Sequence, residues 1–185
     1  MNLADQPYDH RIAPFADEAT YRQRLEPGQD KYYHYLRGLV QVLQPKTVVE
    51  LGTCQGGSAL FMLLDLPEDG TLTTIDVAAR PEFLASCMDD PRLRLVEGSS
   101  TDPALPERLG LRDVDLLFVD TDHTCAQVAA ELAKWLPLVR PGGVIAFDDV
   151  HMNDMDDFWD AFDLPKVDCG TQLHWSGFGV AMKEA

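Results

Sequence analysis

No run in this 185-residue chain approaches the roughly 20 consecutive apolar residues that a membrane-spanning helix needs. The opening MNLADQPYDHRIAPF also lacks a basic segment followed by an apolar one, so it does not read as a secretory signal. These absences predict a cytoplasmic protein that does not engage a membrane. Cysteine is sparse, and Cys54, Cys87, Cys125 and Cys169 form no Cys-x-x-Cys pair, which excludes the common zinc and dithiol motifs. They suit reduced, packed thiols in a reducing compartment. Positive charge is scarce: 15 Lys and Arg face 31 Asp and Glu, for a net charge of −16. That balance excludes the broad basic face that nucleic acid requires, and it disfavours anionic lipid surfaces. Solubility accounts for the surplus, and so would a high-salt source, since Asp dominates and Lys is rare.

What the chain does contain is ordinary globular material, 45% hydrophobic and 25% charged, at a length that predicts one domain over residues 1–185. Two hydrophobic periods alternate along it. Residues 29–43 place Tyr32, Leu36, Leu39, Val40 and Leu43 on one helical face, and 46–51 is a short β-branched strand. Further helices are predicted over 58–66, 80–88, 102–110, 124–139 and 154–162, and strands over 71–76, 92–98, 114–120 and 144–150. Turns are expected at 67–70 and at the RPGG of 140–143, and Thr124 with Gln127 reads as a capping box. The segments 166–170 and 177–183 close the chain as two strands with no helix between them, so one of them should run antiparallel. This order predicts an α/β fold, a doubly wound, mostly parallel, seven-stranded sheet with an antiparallel last strand. Residues 1–28 are read as an irregular arm or lid.

In open α/β sheets, ligands sit at the carboxyl ends of the strands. The first strand runs into VVELGTCQGGSA, where Gly52, Gly56 and Gly57 let the backbone approach a ligand and the helix near Ser58 offers free N–H groups. Asp76 ends the second strand 24 positions after Gly52, the spacing of an acid that binds a ribose diol. The glycine spacing is G-x-x-x-G-G, not the dinucleotide G-x-G-x-x-G, and no Lys follows Gly57 as a phosphate loop requires. A second cluster lies further along. Asp120 ends the buried run DLLFV, and Asp148 with Asp149 ends VIAF, so neighbouring strands would bring three carboxylates together. Three such groups repel and stay charged only beside a counter-cation, and oxygen donors suit a hard ion such as Mg²⁺, with Mn²⁺ or Ca²⁺ as alternatives. Singly, Asp120 or Asp122 would read as a helix cap before Thr124. His123 lies three residues past Asp120, and an imidazole titrating near neutrality suits a general base. His151 is a rival base, and His10, His34 and His174 have no supporting motif.

These stretches resemble a known family over roughly residues 30–183. VVELGTCQGGSA resembles motif I of class I S-adenosylmethionine (SAM)-dependent methyltransferases, LPEDGTLTTID their second strand, and VEGSSTD the loop that contacts adenine. VDLLFVDTDHT and LVRPGGVIAFDDV are similar to the metal-dependent O-methyltransferases of the catechol and caffeoyl-CoA type. The DTDH form resembles the related bacterial family acting on natural products and sugars. The resemblance implies a SAM-dependent, divalent-metal-assisted O-methyltransferase with a small hydroxylated acceptor. It implies that Glu50, Gly52, Gly56 and Ser58, with Thr53 in the same loop, hold the methionine end. Asp76 would hold the ribose, and Gly98, Ser99 and Ser100 would lie near adenine. It places metal ligands at Asp120, Asp148 and Asp149, the last where the family often carries Asn, and His123 where plant and animal enzymes carry a catalytic Lys. Residues 1–28 and 169–179 are expected to shape the acceptor pocket; Trp175 and Phe178 could stack on a ring there, but core packing is the expected role of each. Two other readings use the same residues: an NAD(P)-dependent oxidoreductase, and a non-catalytic SAM-binding protein. Self-association into a homo-oligomer is compatible with all three.

Overall fold

The computed structural model describes residues 8–13, 16–20, 31–170 and 173–184. Helix α1 (Tyr32–Leu43) leads into β1 (Thr47–Leu51), α2 (Gly57–Leu64), β2 (Thr71–Asp76), β3 (Leu93–Glu97), α3 (Leu105–Leu109) and β4 (Val114–Val119). Then come α4 (Cys125–Trp135), β5 (Val139–Asp148), α5 (Met155–Ala161), β6 (Lys166–Asp168) and β7 (Phe178–Met182). The strands form one seven-stranded sheet in the order β3-β2-β1-β4-β5-β7-β6. All neighbours pair in parallel except β7, which runs antiparallel to both β5 and β6. The doubly wound, seven-stranded expectation holds, including the reversed last strand.

The apolar strands are buried on both sides, which is why they read as unbroken hydrophobic runs. Successive side chains point to opposite faces. Val48, Leu116, Phe118 and Ala146 pack with Leu36 and Val40 of α1 and Leu60 and Leu63 of α2. Val49, Leu117, Val119, Ile145 and Phe147 pack with Val128, Leu132 and Trp135 of α4 and Phe158 and Trp159 of α5. Burying each such aliphatic or Phe side chain is worth about 1.5–3 kcal/mol. The expected face of α1 is confirmed at Tyr32, Leu36 and Val40, which are buried.

Several boundaries differ from expectation, each for a physical reason. The helix expected over 80–88 is only a single 3₁₀ turn at Glu82–Leu84. Its amides are spent elsewhere: Arg80 N–H donates to the Cys54 carbonyl and Phe83 N–H to that of Gln55, so the segment laces the glycine loop instead of coiling. The helix expected to reach residue 139 stops at Trp135, because Pro137 cannot donate and a 3₁₀ turn at Leu136–Leu138 follows. Val139 belongs to β5, and the RPGG turn is a bulge within that strand. Val114 pairs with Val139 but Leu116 pairs with Val144, so extra residues loop out between them. The capping box is half made: Thr124 Oγ1 accepts from Gln127 N–H at 3.3 Å, while the Gln127 side chain turns inward to Glu131. Most of the supposedly irregular arm lies outside the described residues, but His10–Ile12 form a 3₁₀ turn and Ile12 is fully buried beside Phe61. All four cysteines are free thiols, as expected, although Cys54 is exposed.

Candidate active site

The site is built at the carboxyl edge of the parallel strands, where backbone groups lose their ladder partners. Gly52 follows β1 with φ +97°, and a Cβ there would lie 1.7 Å from the Asp120 carbonyl oxygen. Only glycine lets the loops after β1 and β4 pass this closely. Gly56 caps α2 with φ +84°, its α-carbon facing Leu84. Beneath this loop Glu50 is fully buried and accepts hydrogen bonds from Ser58 and Thr74. Burial pushes its carboxyl up to about 7, against the pull of those two hydroxyls and with a further push from Asp76. Asp76 ties the end of β2 to the same loop: Oδ2 accepts from the amides of Thr53 at 3.0 Å and Cys54 at 2.8 Å, and Oδ1 from Ala78 at 2.8 Å.

A cleft of about 580 Å³ opens above these elements, with Gly52, Thr53, Ser58 and Asp76 along one part and Gly98, Ser99 and Ser100 along another. Of the residues expected to hold cofactor, Glu50 and Gly56 do not line it: Glu50 braces the loop from below and Gly56 shapes its backbone.

The cleft continues to the acids. Asp148 and Asp149 are buried and Asp120 is partly so. His174 Nδ1 stands 2.9 Å from Asp148 Oδ1 and 3.1 Å from Asp149 Oδ1, and Ser176 donates to Asp149. His123 Nε2 lies 3.1 Å from Asp149 Oδ2 and 3.7 Å from Asp120 Oδ1. Burial, then the charges of Asp148, Glu50 and Asp149, hold the Asp120 carboxyl well above its ordinary range. Burial also raises Asp148, although His174 opposes it. At Asp149 burial is outweighed by the hydrogen bonds from His174 and Ser176 and by the nearby His123, so its carboxyl titrates low. Among the described residues, Asp148, Asp149 and His174 each offer a ligand atom within 4.8 Å of the others. Asp120 lies outside that tight group and meets it through His123. His123 and Asp149 both adopt left-handed backbone, at φ +48° and +57°. Strain of this kind, about 1–3 kcal/mol per residue, concentrates at functional sites.

The remaining histidines separate cleanly. His151 is held at both ring nitrogens, 2.6 Å from Asp156 and 3.0 Å from Asp168, and does not line the cleft. No sequence signal marks His174, because its loop has no periodic pattern and it sits 26 positions from Asp148. Its ring also lies 4.9 Å from that of Tyr32, which turns a residue read as helix core into part of the cleft wall. Phe178 is fully buried in the core and Trp175 is largely exposed.

A family model described as a methyltransferase domain matches residues 49–150, the segment that carries both halves of the cleft. The chain is a member of the class I SAM-dependent O-methyltransferases. The tapetum-specific methyltransferase 1 of Arabidopsis thaliana is 32% identical to this methyltransferase, over 80% of this chain and 67% of its own. A relative from Mycobacterium sp. (strain JLS) is 35% identical over 58% of this chain and 50% of its own, so the chain spans half the length of that protein. The crystal structure of TomG, an O-methyltransferase from Streptomyces achromogenes in complex with SAM, superposes with a TM-score of 0.73 at 20% identity. It covers 97% of this methyltransferase and 92% of TomG, a likeness of fold. No helix among the described residues is long and apolar enough to cross a membrane.

Proposed function

We propose that this methyltransferase carries the methyl group of SAM to a hydroxyl oxygen of a small acceptor, assisted by a divalent cation. One observation carries the cofactor reading: five aspartates and no Lys or Arg line the cleft among the described residues. SAM is a sulfonium cation without phosphates, and such a wall attracts it. NAD(P) brings a pyrophosphate, which the same wall repels, so the oxidoreductase reading loses its footing. Bound SAM supplies an electrophilic methyl group on a sulfur that departs as a thioether.

The donor set fits a hard cation. Asp120 and Asp148 are held high by burial and mutual repulsion, the condition that an added positive charge relieves. Asp120, Asp148 and Asp149 would hold the ion, which when bound lowers the pKa of an acceptor hydroxyl and fixes its oxygen. His174, in the cleft wall beside them, holds Asp148 and Asp149 in place, the service that hydrogen bonds give to metal-binding carboxylates. His123 turns Nε2 into the same space and serves as the base that takes the acceptor proton. Its Asn153 contact, a 2.8 Å hydrogen bond to the His123 carbonyl, secures the strained turn. His151, engaged at both nitrogens, has no free atom to offer.

Calorimetry decides the cofactor: S-adenosylhomocysteine (SAH) should bind and NAD should give no heat, and the reverse result removes the reading. Melting temperature tests the cation. Mg²⁺ or Mn²⁺ should raise it beyond the rise given by NaCl at equal ionic strength. An ion at about 100 times its Kd adds about 2.7 kcal/mol of stability. Asp148→Asn should abolish the specific part of that rise. A mutant with an undiminished divalent response would place the ion elsewhere and leave only the cofactor half of the proposal.

A further inference from the structure

We propose that Glu131, a residue of α4 outside the cleft, is a positioning residue for the nucleoside half of the cofactor. The proposal rests on the SAM reading above.

Glu131 is fully buried yet charged by type, and among the described residues its side-chain hydrogen bonds run to residues that line the cleft. Its Oε1 accepts from Ser100 Oγ at 2.5 Å and from Gln127 Nε2 at 2.9 Å, and its Oε2 accepts from Thr121 Oγ1 at 3.1 Å. Ser100 follows β3 and Thr121 follows β4, two strands separated in the sheet by β2 and β1. Strand spacing of about 4.8 Å puts the two strand axes roughly 14 Å apart. No ladder joins their following loops, so they must be brought together over the sheet by something else. One carboxylate does so, receiving a hydroxyl from each loop. Trp135, one turn further along α4, adds a second tie by donating from Nε1 to the Ser100 carbonyl at 2.7 Å.

Burial raises the Glu131 carboxyl, and the hydrogen bonds from Ser100, Gln127 and Thr121 oppose that rise. Three donors converging on one carboxylate favour its ionised form. The result is a fixed acceptor behind the wall, so that Ser99, Ser100 and Thr121 present a set geometry to a planar base and its ribose. An acid that served only to satisfy its own burial could do so with Gln127 of its own helix, and would not need a hydroxyl from each of the loops after β3 and β4.

Glu131→Gln keeps the shape but removes the charge and one acceptor oxygen, so that Thr121 Oγ1 must turn to accept from the new amide instead of donating to a carboxylate. Calorimetry with SAH should show a Kd raised about tenfold. Ser100→Ala should weaken SAH by a similar factor, and the double variant should be little worse than either single one, because both break the same bridge. Should Glu131→Gln fail to fold, Glu131→Asp keeps the charge, shortens the reach, and should show the same loss. A Kd within twofold of wild type in a folded Glu131 variant, whatever its melting temperature, overturns the proposal. So does full additivity of the Glu131 and Ser100 changes. Failure of the wild-type protein itself to bind SAH would instead remove the SAM reading.

Discussion

His123→Ala should lower turnover by about 10²- to 10⁴-fold, the usual worth of a positioned general base, while the Kd for SAH stays within about twofold. The split follows from the geometry. His123 faces Asp149 at 3.1 Å and Asp120 at 3.7 Å, on the acid side of the cleft. Its ring takes no part in the bridge between Ser100 and Thr121 that shapes the other side. An alanine at 123 also relaxes none of the left-handed strain, since it too disfavours φ +48°. The change is loss of the imidazole together with its contact to Asp149, and the backbone strain stays as it was. Steady-state rates on any hydroxylated acceptor that the wild type methylates will read it, with His151→Ala as the companion. That second histidine lies between Asp156 and Asp168, away from the cleft, and its removal should leave turnover near wild type. Equal turnover in wild type and His123→Ala would move the proton transfer to another group.

Gly52→Ala should abolish detectable SAH binding and cost about 2–5 kcal/mol of stability, combining overpacking with the left-handed penalty. A methyl group at this position would lie 1.7 Å from the Asp120 carbonyl oxygen and 2.7 Å from its carbon. Both are backbone atoms and cannot swing aside. Gly52 N–H is bonded to the Ile75 carbonyl and Asp120 N–H to the Leu51 carbonyl, each at 2.8 Å. The clash must therefore part the ends of β1, β2 and β4 together, and with them the glycine loop and the first acid. Gly110→Ala is the control. It shares a positive φ of +66°, but no heavy atom lies within 4 Å of its added carbon. Its cost should stay near 1–2 kcal/mol, the conformational part alone. Thermal melts of the two variants, and titration with SAH, separate crowding from strain. Comparable melts in both would mean that the close approach at Gly52 is not obligatory.

Much of this was legible before any coordinates. Buried strands announce themselves as short β-branched runs, and a missing crossover helix between 170 and 177 is enough to turn β7 around. Asp120, Asp148 and Asp149 could be assigned to one sheet edge because neighbouring parallel strands end side by side, but the tight group there is Asp148, Asp149 and His174, with Asp120 outside it. What stayed hidden depends on contacts that no period records. Glu131 sits between Val128 and Leu132, within one turn of each and of Trp135. An acid on an apolar stripe is a signal in hindsight, but alone it reads as the edge of a solvated face. His174 reaches the acids only because β7 is antiparallel. Its preceding loop therefore emerges at the same edge as the ends of β4 and β5. The RPGG stretch is ambiguous in sequence because a bulge and a turn use the same residues. The pairing of Val114 with Val139, fixed by the sheet, decides between them.

The acidic excess of the cleft wall bears on what happens after the reaction. Methyl transfer converts a sulfonium into a neutral thioether, so the cofactor loses one positive charge in the step that makes the product. Five aspartates that draw in SAM have less to hold in SAH. Under the proposed function, the attraction that fills the cleft is partly cancelled by turnover itself, and the spent cofactor should leave a site that favours its fresh form.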